Sequence, residues 1–422
     1  MTERMIVRRI PRHVISKPQA AVACRAVSRR SCRRYSSSSS TTAPPAPPPQ
    51  SAVSMLGTLT NELDKLSPRF DLQPAQIQIL QSPSDFYETL KVKISRAQRR
   101  IYLSTLYIGK TEHELISTIR DALQKNPDLK VSFLTDALRG TRESPLPSCA
   151  SLLAPLVADF GPERVEVRMF HTPNLTGLRK KIVPKRINEG WGLQHMKLYG
   201  IDDEIIISGA NLSDDYFTNR QDRYHVFSSK EITDYFSRIH EAVSSISFKV
   251  SPNPGDPAGY LMEWPSSNVG PSPLSDPKAF VLSATSLLTP MIKPSSSSAA
   301  PKEKASSTSV YPLLQLTPLL KPDTSTELPA LTAVLRSLAT PAFAHARWTF
   351  TAGYFNMTPE VRALLLATQP ARATVVAASP WANGFYGSKG ISGLLPSVVN
   401  NIRYCQEILP YYRDIPYRDI SP

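Results

Sequence analysis

From residue 194 to 224 the apolar and polar positions alternate as a strand, a tight Asp202-Asp203 turn and a second apolar strand that runs into Ser208-Gly209-Ala210-Asn211. Upstream, residues 101–108 read as a buried strand and 130–135 as another. Between them, residues 112–123 carry Leu115, Ile116, Ile119 and Leu123 at helical spacing. Strand, helix and strand in that order form a βαβ unit, which predicts parallel pairing with a right-handed crossover. Residues 164–170 alternate as a half-exposed strand should, and 229–247 read as a helix closing a first half. A second half restarts near residue 331. Residues 348–356 and 373–378 are strand-like around a helix at 359–368, so the earlier order repeats. The fold class expected is α/β.

Composition divides the chain further. Residues 1–42 hold nine Arg, one Lys and a single acid, Glu3, which accounts for +9 of the formal +14. That acid-poor, Ser/Thr-rich segment has the composition of a mitochondrial transit peptide; a basic tail that binds RNA or membrane is the competing reading. A Pro/Ser-rich spacer follows over 43–66, with folded structure expected from about residue 67 (first half 67–250). Residues 251–330 turn rich in Pro and Ser, with PSSSSAAPKEKASSTS the extreme, and predict a long insertion with a disordered centre. Within it, 279–288 and 311–320 are apolar enough to dock on the protein, the expected outcome, or to touch lipid. The second half then runs 331–422. With so little charge left outside the leader, no nucleic-acid-binding domain is indicated. Cys149 and Cys405 lie far apart without metal-ligand spacing, so two reduced thiols and no metal are expected. No apolar run reaches 18 residues, so membrane attachment is expected to be peripheral.

The chemistry centres on His195-x-Lys197 and Asp202. On a strand, residues two apart share one face. An imidazole there can attack phosphorus and hold the phosphoryl group, an ammonium can neutralise its oxygens, and a carboxylate can fix the ring or the lysine, with no metal or cofactor. Asn211 and the amides of the Ser208-Gly209-Ala210 turn add neutral donors. A plain hairpin that happens to expose His and Lys is the alternative for the three-residue pattern alone. Arg139-Gly140-Thr141-Arg142, just after the second strand, can clamp a phosphate with two guanidinium forks, or be a solvated basic turn. Ser208 and the polar run Asn219, Arg220, Gln221, Asp222 and Arg223 beside the catalytic strand are expected to brace the site as a buried network. The basic stretch Arg179, Lys180, Lys181, Lys185 and Arg186 can draw in anionic lipid or glycerol phosphate, or be a solvated face. His171, with no lysine two residues on, reads as a loop histidine.

HxKxxxxD is the signature of the phospholipase D superfamily. The longer text, GLQHMKLYGIDD followed by SGANLSDDYFTNRQDRY, resembles its mitochondrial phosphatidylglycerophosphate synthase branch over roughly residues 68–400. That resemblance implies a phospholipase D-like fold of two similar α/β/α halves around one site. It implies transfer of a phosphatidyl group from CDP-diacylglycerol to glycerol 3-phosphate through a phosphohistidine on His195. Lys197 would neutralise the oxygens, Asp202 orient the pair, and Arg139 or Arg142 hold the acceptor's phosphate. It also implies peripheral contact with the mitochondrial inner membrane, no cofactor and no nucleic-acid partner. In the family each half carries one HxK, but here no histidine after His195 has a lysine two residues on, so the second half is expected to be incomplete. Four alternatives stay open: hydrolysis with water as acceptor, a catalytically dead lipid-binding protein, a truncated or mis-spliced gene product, and a homodimer that pairs two copies of the first motif.

Overall fold

The computed structural model describes residues 50–184, 188–294, 307–353 and 357–377. The expected leader at 1–42, Lys185, Arg186, the loop at 379–390 and Cys405 lie outside them. The chain is helical over α1 (Gln50–Asp64), where the sequence reading placed a spacer over 43–66. The reason is legible afterwards: no proline follows Pro49 for many residues, and Leu56, Leu59 and Leu63 recur at helical spacing.

The first half then runs β1 (Phe70–Leu72), β2 (Ile77–Leu80), α2 (Pro83–Ser95), β3 (Arg100–Ser104), α3 (His113–Lys125), β4 (Lys130–Asp136), α4 (Ala137–Gly140), α5 (Cys149–Phe160), β5 (Val165–Phe170) and α6 (Gly177–Ile182). It continues through β6 (Leu198–Ile201), β7 (Glu204–Ser208), α7 (Asp214–Thr218), β8 (Tyr224–Ser228), α8 (Lys230–Ser244), β9 (Phe248–Pro252), β10 (Tyr260–Glu263) and α9 (Pro277–Ile292). Nine strands form one sheet in the order β10-β9-β5-β4-β3-β6-β7-β8-β2. β3, β4 and β5 pair in parallel, as the βαβ pattern requires, and the remaining pairings are antiparallel.

Side-chain alternation places a core on each face of this sheet. Ile101, Leu103, Val131, Phe133, Tyr199 and Ile206 pack under α2, α3 and α5, whereas Tyr102, Leu134, Leu198, Ile205 and Phe227 pack under α8 and α9. Burying each such side chain contributes roughly 1.5–3 kcal/mol. Gly200 stands opposite Tyr102 across the β3–β6 ladder, and a Cβ there would enter the tyrosine ring. Its absence lets Tyr102 lie across the strand and donate to the Thr233 carbonyl at 2.8 Å, locking α8 to the sheet.

The sequence reading ended this half at residue 250; the sheet does not. Hairpin β9–β10 extends its edge, and α9 adds to the second layer. The prolines and serines of 251–276 mark turns and a helix start. Asp276 accepts from the Lys278 and Ala279 amides with Pro277 at the first position, and Phe280, Ala284, Leu288 and Ile292 form the buried stripe. Leu314, Leu316, Leu319 and Leu320 join that layer. β11 (Thr308–Val310) pairs with β1. In the second half, α10 (Glu327–Leu338) packs beside α1, and β12 (Arg347–Ala352), α11 (Pro359–Ala367) and β13 (Arg372–Ala377) make a parallel strand-helix-strand unit like β3-α3-β4. Among the described residues no helix is long and apolar enough to cross a membrane.

Candidate active site

Strand direction gathers the candidate residues. β3, β4 and β5 end together, β6 starts at that same edge opposite Ser104, β7 returns to it, and β8 leaves from it opposite Ser208. Asp136, His171, the 194–197 segment, the 208–211 turn and Asp222 therefore meet at one edge, at the carboxyl ends of the parallel strands.

His195 and Lys197 lie in an extended loop ahead of β6, not in the strand the sequence suggested. What holds the loop is Asp136. One oxygen of its buried carboxylate accepts from the Leu138 and Arg139 amides, each at 2.9 Å, starting α4; the other accepts from the Gln194 amide at 2.9 Å, one residue before His195. Burial pushes this carboxyl up to about 7, against those amides and Arg139. The sequence reading gave Asp136 no role, although an acid ending an apolar strand ahead of a short helix is an N-cap signal. The Gln194 amide side chain donates to the Leu134 carbonyl at 3.1 Å, and the Lys197 ammonium donates to the His195 carbonyl at 2.8 Å.

Lys197 is only 6% exposed, and burial pushes its ammonium down to about 7, with the Asp222 carboxylate working the other way. Crowding by the surrounding protein and then the Lys197 charge push the His195 imidazole down to about 4. The ring nonetheless keeps an open face to solvent. At neutral pH it is an uncharged, accessible nitrogen base beside a buried amine.

Asp202 is not part of this pair. The four residues of β6 carry it to the opposite edge of the sheet, where it turns the chain at φ 51°. Its carboxylate there accepts from the amides of Gln98, Arg99 and Arg100 at 2.8, 2.8 and 3.1 Å. The expected orienting role is corrected accordingly: Asp202 fixes the start of β3. The carboxylate that acts on Lys197 belongs to Asp222, held by the Gly209 amide at 3.1 Å and the Arg223 amide at 2.6 Å. A Cβ on Gly209 would fall 2.5 Å from an Asp222 oxygen, so a side chain there would push the carboxylate out of place.

Asn211 is buried at the same edge, 3.5 Å from the Thr105 hydroxyl, and the Ser208 hydroxyl accepts from the Ala210 amide at 2.8 Å. Tyr199 anchors that turn by donating to the Ala210 carbonyl. Arg139 stacks over the Tyr107 ring at 4.1 Å and pairs with Glu143 at 3.1 Å; Arg142 pairs with Glu189 in the turn that precedes the His195 loop. A phosphate at either guanidinium competes with a carboxylate. The run from Asn219 to Arg223 differs from the buried network expected. Asn219, Arg220, Gln221 and Arg223 are exposed because α7 ends at the surface, and Arg220 bonds its own helix through Asp215 and Tyr216. Only Asp222 reaches inward. His171 is buried: its Nδ1 faces the Thr172 carbonyl at 2.9 Å and so carries the proton, which leaves Nε2 as a bare, unpartnered acceptor. Burial pushes this ring down to about 4. Cys149 is a buried free thiol, pushed by burial up to about 11. Among the described residues no cluster of His, Cys, Asp and Glu is arranged to hold a metal ion.

A family model described as cardiolipin synthase, PLD-like domain, matches residues 90–243. The CDP-diacylglycerol–glycerol-3-phosphate 3-phosphatidyltransferase of Saccharomyces pastorianus is 46% identical over 369 residues, covering 86% of this chain and 70% of that protein. The mitochondrial protein of the same name from Gallus gallus is 37% identical over 363 residues, 79% of this chain and 63% of its own length. Among solved structures, the phosphatidylserine synthase of Haemophilus influenzae shares the fold, with a TM-score of 0.57 over 84% of this chain and 74% of that one at 19% identity.

Proposed function

This chain belongs to the CDP-diacylglycerol–glycerol-3-phosphate 3-phosphatidyltransferase family, with a phospholipase D-like fold, and from that premise we propose that it transfers a phosphatidyl group from CDP-diacylglycerol to glycerol 3-phosphate at the His195–Lys197 edge. The observation that carries the assignment to this edge is the pairing of an uncharged, accessible imidazole with a buried amine two residues away.

Two displacements follow. The His195 lone pair attacks the diacylglycerol-bearing phosphorus, an N–P bond forms, and the P–O bond to CMP breaks with its electron pair leaving on CMP. The departing group is a phosphate monoester whose second pKa is about 6, so this step proceeds without a strong general acid. A hydroxyl oxygen of glycerol 3-phosphate then bonds to phosphorus from the other side and the N–P bond breaks, its pair returning to His195. The hydroxyl proton passes to water. Lys197 neutralises the equatorial oxygens. Their charge lifts its ammonium back above about 7, so substrate binding takes up a proton. Asn211, buried at the same edge, would donate its side-chain amide to the same oxygens, and Arg139 or Arg142 would hold the acceptor's phosphate after displacing Glu143 or Glu189. The mitochondrial relatives support a mitochondrial location, with peripheral attachment to the inner membrane as the finer reading.

The test is CMP release by the full chain from CDP-diacylglycerol in detergent micelles with glycerol 3-phosphate, alongside His195→Ala, with the lipid product identified. Release that requires both His195 and the acceptor is expected. Full synthase activity in His195→Ala refutes the assignment, and phosphatidic acid formed equally well without glycerol 3-phosphate shows a hydrolase.

A further inference from the structure

Leu178, Leu146 and Ile182 are 71, 69 and 68% exposed, the three highest values among the large apolar side chains of the described residues. They are not scattered. Leu146 lies on the loop that leaves β4, and Leu178 and Ile182 lie on the segment that leaves β5, both at the sheet edge that carries His195. The geometry is built. The Leu146 amide donates to the Glu143 carbonyl at 2.9 Å in a closed turn, and α6 sets Leu178 and Ile182 four residues apart on one helical face. The Arg142–Glu189 ion pair ties the loop after β4 to the turn at 188–191 that follows α6, so the two loops form one rim.

Charge surrounds the apolar stripe. At 100° per residue, Arg179 and Lys181 flank the Leu178–Ile182 line while Lys180 turns back toward the protein, where its charge acts on His171. Among the described residues none of these three cations forms an ion pair. Arg179 donates to the Asn174 carbonyl at 2.9 Å, which holds its guanidinium beside the stripe without neutralising it. Exposed branched aliphatics between cations that face no carboxylate match the surface of an anionic bilayer, apolar side chains below the headgroups and ammonium and guanidinium groups at the phosphates.

We propose that this rim is the membrane-docking face: Leu146, Leu178 and Ile182 enter the acyl boundary of an anionic bilayer, and Arg179 and Lys181 meet its phosphates. The inference rests on the reading of the neighbouring edge as a site for a diacylglycerol-linked nucleotide. The reacting phosphorus of such a substrate sits at headgroup level, so His195 reaches it only if this edge faces the membrane.

Flotation of the full chain with phosphatidylcholine vesicles, with and without phosphatidylglycerol and free of CDP-diacylglycerol, tests it. The wild type is expected to float with the anionic vesicles and to be released by salt. Leu178→Ser and Ile182→Ser each weaken partition about ten-fold, and Lys181→Gln about five-fold. On CDP-diacylglycerol embedded in vesicles, CMP release falls in parallel. On a short-chain CDP-diacylglycerol dispersed in detergent, CMP release by Leu178→Ser and Ile182→Ser stays at the wild-type rate, which shows that these two variants fold. A doubly substituted Leu178→Ser/Ile182→Ser protein that floats like the wild type overturns the proposal. His195→Ala separates the two readings, since it is expected to float normally and release no CMP. Wild-type protein that floats through the rim yet releases no CMP refutes the activity alone and leaves the docking face standing.

Discussion

Replacing Lys197 by methionine keeps the reach of the side chain and removes the charge from a site that is 6% exposed. Burial lowers the lysine from 10.5 to about 7, and each unit of depression corresponds to about 1.4 kcal/mol of cost for the charged form. At pH 6 the wild type therefore carries a burial cost of about 4–5 kcal/mol, and at pH 9 about 2 kcal/mol. Methionine also gives up the 2.8 Å bond to the His195 carbonyl, worth about 1 kcal/mol. The net expectation is a Lys197→Met protein more stable than the wild type by about 3–4 kcal/mol at pH 6 and by about 1 kcal/mol at pH 9. The sign follows from proton binding: between about 7 and 10.5 the unfolded chain holds the lysine proton and the folded one does not, so wild-type stability rises with pH through that window and the variant's advantage fades. Urea-unfolding midpoints of both proteins at the two pH values measure this, with CMP release expected to be abolished in the variant. A variant less stable than the wild type at pH 6, or an advantage that grows with pH, refutes the buried-amine reasoning.

Asp202→Ala strips three backbone amides of their acceptor and is expected to cost about 2–4 kcal/mol in a denaturant titration, with kcat per folded molecule unchanged; a kcat loss above ten-fold at full folding would restore a catalytic role. Gly209→Ala drives a methyl into Asp222 and is expected to lower kcat/KM about ten-fold and to move the alkaline limb of the pH profile downward, because Lys197 loses the carboxylate that raises it. His195, held down to about 4, stays uncharged well below neutrality, so kcat/KM should show no acid limb near the ordinary histidine value of about 6.5; a midpoint there contradicts the assignment.

The repeating layers were legible because their signals are local. Helix α3 and strands β3 to β7 follow from apolar spacing alone, since each buries one stripe or one face, and the parallel β3–β4 pairing follows from the helix between them. Helices α2 and α5 went unread although both begin with serine capping boxes, at Ser82 and Ser148. The site was legible only in part. His195 and Lys197 stand out as residue types, but the carboxylate that serves them had to be read across a hairpin. Asp202 is near in sequence and lies at the far edge, whereas Asp222 is remote in sequence and lies at the near one, because β6 and β7 run in opposite directions. The Asp136 link was hidden for a related reason: its carboxylate accepts from the backbone amide of Gln194, 58 residues away, and a backbone donor leaves no side-chain pattern at the partner position.

The same strand geometry bears on what the His195 edge contributes to a transferase. The edge holds a base that is already deprotonated at neutral pH and an amine that becomes charged when phosphate arrives, which is what the first displacement needs when the leaving group is as acidic as CMP. A phospholipase expelling an alkoxide from the same intermediate geometry needs a proton donor, because an alcohol is a far poorer leaving group. On the proposed chemistry, then, demand for proton transfer shifts from the departure of CMP to the arrival of the glycerol hydroxyl, on the face of phosphorus opposite His195. On the proposed docking, the rim of Leu146, Leu178 and Ile182 holds the His195 edge at the bilayer boundary, where the soluble acceptor arrives from water while the diacylglycerol stays in the membrane.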